Sequence, residues 1–261
     1  MTGYENLTTE MMNGVLTIKL DRPPVNAFSR QMVDELLKVL KIAEGEESVR
    51  CLVLTGHERY FSSGHDIAEI SEVSEADSYR YHLQRTYNRL VSRMRRLEKP
   101  IVGAIHGLTV GAGLGVVLAT DIRWAAESAQ FIFGFTAVGL TTDAGTSLTL
   151  PLLMGLARAT EMAFLNEPLS AEQALSYGLV SRVLPDEELS SAVAEMATYL
   201  AAGPTRAYGL TKRAFNRALL PGLEAVLDYE AHLQEIAHRT SDHQEGIAAF
   251  LGKRQPDFRG M

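Results

Sequence analysis

The sequence predicts an α/β protein whose carboxy-terminal part is helical. Two observations support this. Patterns typical of strands alternate with patterns typical of helices up to about residue 185, and only helical patterns follow. Such alternation is typical of a parallel sheet covered by helices. The length of 261 residues suits one large domain, and we expect an α/β core over 1–200 and a helical region over 201–261.

The strand patterns are short and well bounded. GVLTIKLDRPP (14–24) alternates apolar and polar residues and ends in prolines, which is typical of a half-buried strand. RCLVLTG (50–56) and IVGAI (101–105) are continuous apolar runs, as expected for buried strands. RWAA (123–126) and QFIF (130–133) predict two further strands.

The helix patterns carry recognisable starts. Ser29 is a candidate N-cap, because apolar residues follow it at helical spacing. Residues 77–97 predict one long amphipathic helix, and 114–119 predict a buried one. Beyond residue 185 the predicted helices are 189–201, 205–219, 222–238 and 242–251. The last has a start that resembles a capping box, from Ser241 to Gln244.

Composition excludes several classes of protein. The net charge of −7 argues against a general nucleic-acid binder, which would carry a basic excess. A single cysteine, Cys51, cannot form an internal disulfide, and it lies in an apolar run, so we expect a buried thiol. No cluster has metal-ligand spacing, and nothing indicates a redox cofactor. The start lacks the features of a signal peptide and no run is apolar enough to span a membrane, so we expect a cytoplasmic protein.

Two glycine-containing stretches predict exposed backbone amides. In FSSGHDI (61–67), Gly64 allows a tight turn that leaves the amide of His65 pointing outward. In HGLTVGAGLG (106–115), a glycine-rich turn joins a strand to a helix and presents free amides at the positive end of the helix dipole. Such amides suit an anion or a developing oxyanion. The alternatives are an ordinary turn in the first stretch and close helix–strand packing in the second.

The third stretch, GLTTDAGTS (139–147), contains an isolated acid. From Ser128 to Thr160 the only acidic residue is Asp143 and the only basic one is Arg158. Ionised carboxylates are rarely buried unless they are paired or hydrogen-bonded. Asp143 is therefore a candidate functional acid, with an exposed loop position or a helix cap as the alternative.

In this order, the stretches resemble the crotonase superfamily, the enoyl-CoA hydratase/isomerase family. The motifs that carry the resemblance are RPPVNAFS, FSSGHDI, AIHGLTVGAGLG, ATDIRWAAESAQF, the spaced Gly139 and Gly145, LSAEQALSYGLVSRVL and FLGKRQPDF. The resemblance covers nearly the whole chain. It implies a spiral core of strand–strand–helix turns with a helical carboxy-terminal region used for trimerisation.

The resemblance also implies a substrate and a site. Members bind acyl-CoA thioesters, need no other cofactor, and hold the thioester oxygen of an enolate with two backbone amides, here those of His65 and Ala112. Phe250 and Lys253 resemble tail residues that meet the nucleotide end of coenzyme A, often from a neighbouring subunit of a trimer or hexamer. The residues implied to line the substrate pocket are Ala27, Ser63, Gly64, Asp66, Ile67, Gly111 and Phe135.

The chain departs from the family pattern at the acids. Typical hydratases carry two glutamates, and their positions are occupied here by Gly115 and Phe135. We expect Gly115 to open space near C3 of the substrate, and Phe135 to form an apolar wall. Asp143 is then the sole acid/base, which is enough for an isomerase that moves a proton along the acyl chain. The alternatives are a hydratase or hydrolase that uses Asp143 with a water, and a non-catalytic acyl-CoA-binding paralogue.

Overall fold

Two sheets organise the first part of the chain. The computed structural model describes residues 3–57, 59–72 and 78–261, with the backbone alone at 70–72. The strands of the first sheet, in spatial order, are β1 (Leu7–Met12), β2 (Val15–Leu20), β3 (Cys51–Thr55), β5 (Ile101–Ile105), β7 (Ile122–Ala126) and β10 (Arg182–Leu184). Those of the second sheet are β4 (Tyr60–Ser62), β6 (Leu108–Val110), β8 (Gln130–Ile132) and β9 (Leu169–Ser170).

Parallel pairing dominates both sheets, as the sequence predicts. Only β1 with β2 and β8 with β9 run antiparallel among the paired strands described. The chain passes repeatedly from a strand of the first sheet to one of the second and then into helix, as in β3, β4 and the helices after them. This confirms the predicted spiral of strand–strand–helix turns.

Helices cover the sheets and form the carboxy-terminal part of the chain. Ser29 caps the first helix as predicted, because its Oγ accepts a hydrogen bond from the amide of Met32 at 3.1 Å. The helices are α1 (Arg30–Gly45), α2 (Ile67–Glu72), α3 (Tyr79–Arg85), α4 (Tyr87–Arg96), α5 (Ala112–Leu118), α6 (Thr146–Met154), α7 (Leu156–Leu165), α8 (Ala171–Ser176), α9 (Asp186–Ala202), α10 (Thr205–Leu219), α11 (Leu223–His238) and α12 (Ser241–Leu251). Among the described residues, no helix has both the length and the apolar character needed to cross a membrane.

The structure corrects two helix predictions. The expected helix over 77–97 is two helices, α3 and α4, that break at Thr86, whose φ of −110° and ψ of −96° are not helical. Residue 77, at the start of that prediction, lies outside the described residues. The capping residue of α12 is Thr240 rather than Ser241, since the Thr240 Oγ1 accepts from the amide of His243 at 3.1 Å. Ser241 instead donates its hydroxyl proton to the carbonyl of Met261.

Two apolar layers hold the first sheet. Cys51 lies in the layer between this sheet and α9, where it is fully buried among Val53, Val102 and Val193. Burial raises the pKa of its thiol to about 12, so the side chain is a neutral, apolar core group. The prediction of a buried structural thiol is confirmed.

Candidate active site

The topology places the two glycine-containing turns side by side. Strands β4 and β6 are parallel neighbours, with Tyr60 opposite Leu108 and Ser62 opposite Thr109. The carboxyl ends of parallel neighbours lie at the same edge of a sheet, so the turns that follow them meet there. A Cβ atom on Gly64 would lie 2.9 Å from the carbonyl oxygen of Val110. The two turns are therefore in direct contact.

The turn after β4 leaves one amide unused. Gly64 has a φ of +92°, and its carbonyl accepts from the amide of Phe28 at 2.7 Å. The amides of Ser63 and Asp66 are also bonded, to the carbonyls of Val25 and Phe28. Within the described chain, no group accepts a hydrogen bond from the amide of His65, which lies between them.

The turn after β6 leaves a second amide unused. Gly111, with a φ of +54°, precedes α5 and has no side chain to cap the helix. The amide of Ala112, the first residue of α5, likewise has no acceptor in the described part of the molecule. The amide nitrogen of Ala112 would lie 3.7 Å from a Cβ on Gly64, so it faces the turn that carries His65. Two free amides at one sheet edge can bind an anionic oxygen.

The side chain of His65 is neutral and engaged elsewhere. Its Nδ1 lies 2.7 Å from the hydroxyl of Tyr87, and burial lowers its pKa to about 3. Asp66 forms an ion pair with Arg22 at 2.5 Å. A catalytic triad of Ser63, His65 and Asp66 is thus absent from this turn, and its contribution is the backbone.

Asp143 is a buried carboxyl with one unused oxygen. Only 3% of its surface is exposed. Its Oδ2 accepts a hydrogen bond from Nε2 of Gln234 at 3.1 Å, whereas its Oδ1 is buried without a partner among the described residues. Burial raises the pKa of Asp143 to about 8, and the negative charge of Glu230 acts in the same direction. The carboxyl can therefore give or take a proton near neutral pH.

Helix α11 holds the loop that carries Asp143. Glu230 accepts hydrogen bonds from the amides of Gly145, at 2.7 Å, and Ser147, at 2.8 Å. Gln234, one turn later, accepts from the amide of Thr141 at 3.2 Å. Sequence reasoning missed both side chains. The sequence does indicate them in one way: both are polar residues at positions that helical spacing places on the buried face of α11.

The expectation that Gly115 opens space in the pocket is wrong. A Cβ atom on Gly115 would lie 2.5 Å from the Cβ of Ala144 and 2.9 Å from Oγ1 of Thr146. The loop that carries Asp143 already fills this volume, because Ala144 rests directly on α5. The missing side chain of residue 115 is what allows the Asp143 loop to approach the helix that begins at Ala112.

Phe135 lies beside the turn after β6, and its role as an apolar wall of the substrate pocket stays a prediction. It is 6% exposed and packs edge-on against Phe133, with ring centroids 5.0 Å apart. Its ring reaches within 3.9 Å of the position that a Cβ of Gly111 would take. The ring therefore places apolar surface next to the turn that carries the amide of Ala112.

An aromatic cluster on α3 and α4 also lies near the acid, and sequence reasoning missed it. Tyr79 and Tyr87 are fully buried, and the charge of Asp143 raises the pKa of each further than burial alone does. His82 packs edge-on against His65 at 5.0 Å between ring centroids. The signal was weak, since aromatic residues at helical spacing are typical of any core.

The remaining predicted residues fall into two groups. Ala27 is buried in the segment joined to the turn after β4, and Ile67 begins α2 directly after that turn. Phe250, in contrast, is 59% exposed near the end of α12, and Lys253 is exposed just beyond it. The structure of one chain does not bring these two residues to the site. Among the described residues, no group of three or more His, Cys, Asp or Glu side chains could hold a metal ion.

Comparisons with known proteins agree on one family. The family model described as enoyl-CoA hydratase/isomerase matches residues 10–261. The chain is 39% identical to 1,2-epoxyphenylacetyl-CoA isomerase of Escherichia coli K12 over 98% of this chain and 99% of the relative. It is 38% identical to a probable enoyl-CoA hydratase of Rhodobacter capsulatus, with the same coverage. The crystal structure of an enoyl-CoA hydratase from Mycobacterium avium subsp. paratuberculosis superposes with a TM-score of 0.89 at 31% identity, covering 98% of this chain and 100% of that one.

Proposed function

This chain belongs to the enoyl-CoA hydratase/isomerase family, and on that premise we propose that it is an isomerase that moves a proton along the acyl chain of a CoA thioester. The observation that carries the proposal is the single buried carboxyl of Asp143, with one oxygen free and a pKa raised to about 8. The positions of the two usual hydratase glutamates hold Gly115 and Phe135.

The first role belongs to the backbone. The thioester oxygen accepts hydrogen bonds from the amides of His65 and Ala112, and these bonds strengthen as negative charge develops on that oxygen. Removal of one such donor typically costs about 3–4 kcal/mol of transition-state stabilisation. The amides take no part in proton transfer, and they need no reorganisation, because the backbone hydrogen bonds of Ser63, Asp66 and Gly111 fix the turns that carry them.

The second role belongs to Asp143. Its carboxylate removes a proton from C2 of a 3-enoyl thioester, and the electron pair of that C–H bond delocalises into the thioester to give a dienolate. The protonated Asp143 then returns the same proton to C4. The double bond moves from C3–C4 to C2–C3, and the carboxylate is regenerated. One acid/base is sufficient, whereas hydration must also activate a water.

The test is a comparison of 3-enoyl-CoA and 2-enoyl-CoA as substrates, followed by near-ultraviolet absorbance and mass. We expect conversion of the 3-enoyl to the conjugated 2-enoyl thioester at unchanged mass, and its loss in Asp143→Asn. Asp34→Asn, the same acid-to-amide change at a partly exposed position of α1, is the matched control. Gain of one water from 2-enoyl-CoA would instead identify a hydratase, and binding without any turnover would identify a non-catalytic acyl-CoA binder.

A second candidate is an isomerase of ring epoxides. The 39% identity to a relative named 1,2-epoxyphenylacetyl-CoA isomerase favours it, as does the cluster of Tyr79 and Tyr87 near Asp143, which suits a ring-bearing acyl group. We therefore include 1,2-epoxyphenylacetyl-CoA in the assay. Turnover of this substrate and not of 3-enoyl-CoA would select the second candidate.

We also propose that the chain forms a trimer or a dimer of trimers. Several large apolar side chains on α6, α7 and α10 are about half exposed or more, and three of them, Leu152, Phe215 and Leu219, line one groove. Exposed apolar surface of this kind marks interfaces. The exposed side chains are Leu152, Leu156, Phe164, Leu165, Phe215 and Leu219. Phe250 and Lys253 would then reach the coenzyme A of a neighbouring copy. Light scattering should give three or six times the mass of one chain, and a monomer would contradict the proposal.

A further inference from the structure

Two buried polar side chains on one face of α11 contact the loop of Asp143. Glu230 is 2% exposed and Gln234 is fully buried. They are one helical turn apart, on a face whose other buried members are Leu223, Leu227 and Ala231. Burial of a polar group costs free energy unless the group is hydrogen-bonded, so two such groups on an apolar helix face indicate a specific role.

We propose that Glu230 and Gln234 are positioning residues for Asp143, which fix its loop and act on its carboxyl with opposite electrostatic effects. The inference deepens the proposed function and rests on it for the role of Asp143 as acid/base. Gln234 bonds the Asp143 carboxyl and Glu230 bonds its loop. The titration of the carboxyl therefore tests the inference without an activity assay.

Gln234 determines which oxygen of Asp143 is free. Its Oε1 accepts from the amide of Thr141 at 3.2 Å, which orients the side-chain amide so that Nε2 donates to Oδ2 of Asp143 at 3.1 Å. Oδ1 is left without a partner among the described residues, and it is the oxygen available to a substrate. A neutral donor favours the carboxylate modestly, so it lowers the pKa of Asp143 without neutralising the charge.

Glu230 acts in the opposite direction. Its carboxylate is held by the amides of Gly145 and Ser147, at 2.7 and 2.8 Å, and by the hydroxyl of Ser147 at 2.5 Å. A like charge beside Asp143 disfavours its ionised form and raises its pKa. In geometric terms the same three bonds fix the far side of the Asp143 loop at the start of α6.

No other titratable group in the described surroundings reproduces this effect. Tyr79 of α3 and Tyr87 of α4 interact with Asp143, but burial raises their pKa values so far that both stay neutral. Helix α5, which packs under the loop at Gly115, consists of alanine, glycine, leucine and valine. Burial raises the pKa of Asp143 most, and the opposing effects of Glu230 and Gln234 adjust it further.

The test is a titration of the Asp143 carboxyl by carbon-13 NMR in protein labelled at aspartate, with Asp143→Asn identifying the resonance. From a midpoint of about pH 8, Glu230→Gln should lower the midpoint of the titration. Gln234→Met, which keeps the length of the side chain and removes the donor, should raise it. The control is Glu224→Gln, which removes an exposed charge from the same helix.

Opposite displacements of the midpoint, with the control unchanged, would support the proposal. Displacements in one direction, or none, would overturn it, because a purely structural role predicts no opposition. If Glu230→Gln fails to fold, Gln234→Met alone decides through the direction of its displacement. A wild-type midpoint of about 8 in a protein that turns over no acyl-CoA would reject the proposed function while leaving the positioning intact.

Discussion

The two halves of the candidate site are built by different means. The half that we propose as the oxyanion site, called the oxyanion half below, consists of backbone amides presented by turns after two adjacent parallel strands, β4 and β6. The acid half consists of one side chain, Asp143, on a loop held by side chains of α11, whose contacts with that loop span 83 to 93 residues of sequence. The first half depends on glycines and the second on a network of buried polar groups.

The two halves therefore tolerate different kinds of substitution. Only proline removes a backbone N–H, so the oxyanion half is sensitive to backbone displacement and indifferent to most other side-chain changes. The acid half depends instead on the pKa of the Asp143 carboxyl, and this pKa responds to every charge near the carboxyl.

The largest expected effect is on the oxyanion half. Gly64→Ala places a Cβ 2.9 Å from the carbonyl of Val110 in a turn with φ of +92°, so the amide of His65 must move. We expect kcat to fall by about 10²–10³-fold. The control is Gly45→Ala, where nothing lies within 4 Å of the added atom. Equal activity of the two variants would show that the turn does not carry an oxyanion donor.

The acid half predicts a pH dependence. If Asp143 acts first as a base, kcat/KM should rise about tenfold per pH unit and level off above about pH 8.

The raised pKa of Asp143 also predicts that the stability of the fold depends on pH, because the native state binds this proton more tightly than the unfolded chain does. The stabilisation from the bound proton is complete below the pKa of Asp143 in the unfolded chain, and it is lost as pH rises through about 8. The free energy of unfolding of Asp143→Asn, relative to that of the wild type, should therefore increase by at least about 1 kcal/mol from pH 5 to pH 9. Denaturant unfolding at both pH values measures it, and a constant difference would refute the raised pKa.

A third prediction concerns the contact between the halves. Gly115→Ala forces a Cβ to within 2.5 Å of Ala144, so we expect unfolding to become easier by about 1–3 kcal/mol. Adding Ala144→Gly removes the closest contact, leaving Oγ1 of Thr146 at 2.9 Å, and it also relieves the φ of +55° at residue 144. The double variant should recover most of the loss in a thermal melt. A stable single variant would mean that the loop does not rest on α5.

The smallest expected effect is at Tyr87. Tyr87→Phe removes the hydrogen bond of 2.7 Å to Nδ1 of His65, which steadies the residue that carries the oxyanion amide. We expect kcat to fall by about two- to tenfold, with an unchanged pH midpoint because Asp143 is not altered. Tyr81→Phe, at a side chain that is 54% exposed, is the control. A displaced midpoint would assign Tyr87 to the acid half.

More of the oxyanion half than of the acid half could be predicted from the sequence. Glycine spacing after predicted strands identified both turns, because conformational freedom at Gly64 and Gly111 is a local property. Asp143 stood out through the absence of other charges around it. Glu230 and Gln234 could not be found in this way, since they meet the loop only after α11 folds back onto it.

Local pattern also misjudged some packing and boundaries. The apolar spacing over 77–97 continues through Thr86, and no proline or glycine marks the break between α3 and α4. At the start of α12 two adjacent hydroxyl residues compete for the cap, and Thr240 rather than Ser241 has the extended backbone that capping requires. The space above Gly115 is decided by Ala144, which is distant in sequence and adjacent in the fold.

The hydrogen bonds between α11 and the Asp143 loop have a consequence for folding during synthesis on the ribosome. Synthesis runs from the amino terminus, so both oxyanion turns are complete once β6 and the start of α5 have emerged. Asp143 follows soon after, but the groups that fix it, Glu230 and Gln234, arrive some 90 residues later. A nascent or truncated chain that ends near residue 200 would therefore contain every reacting group and still lack a fixed acid.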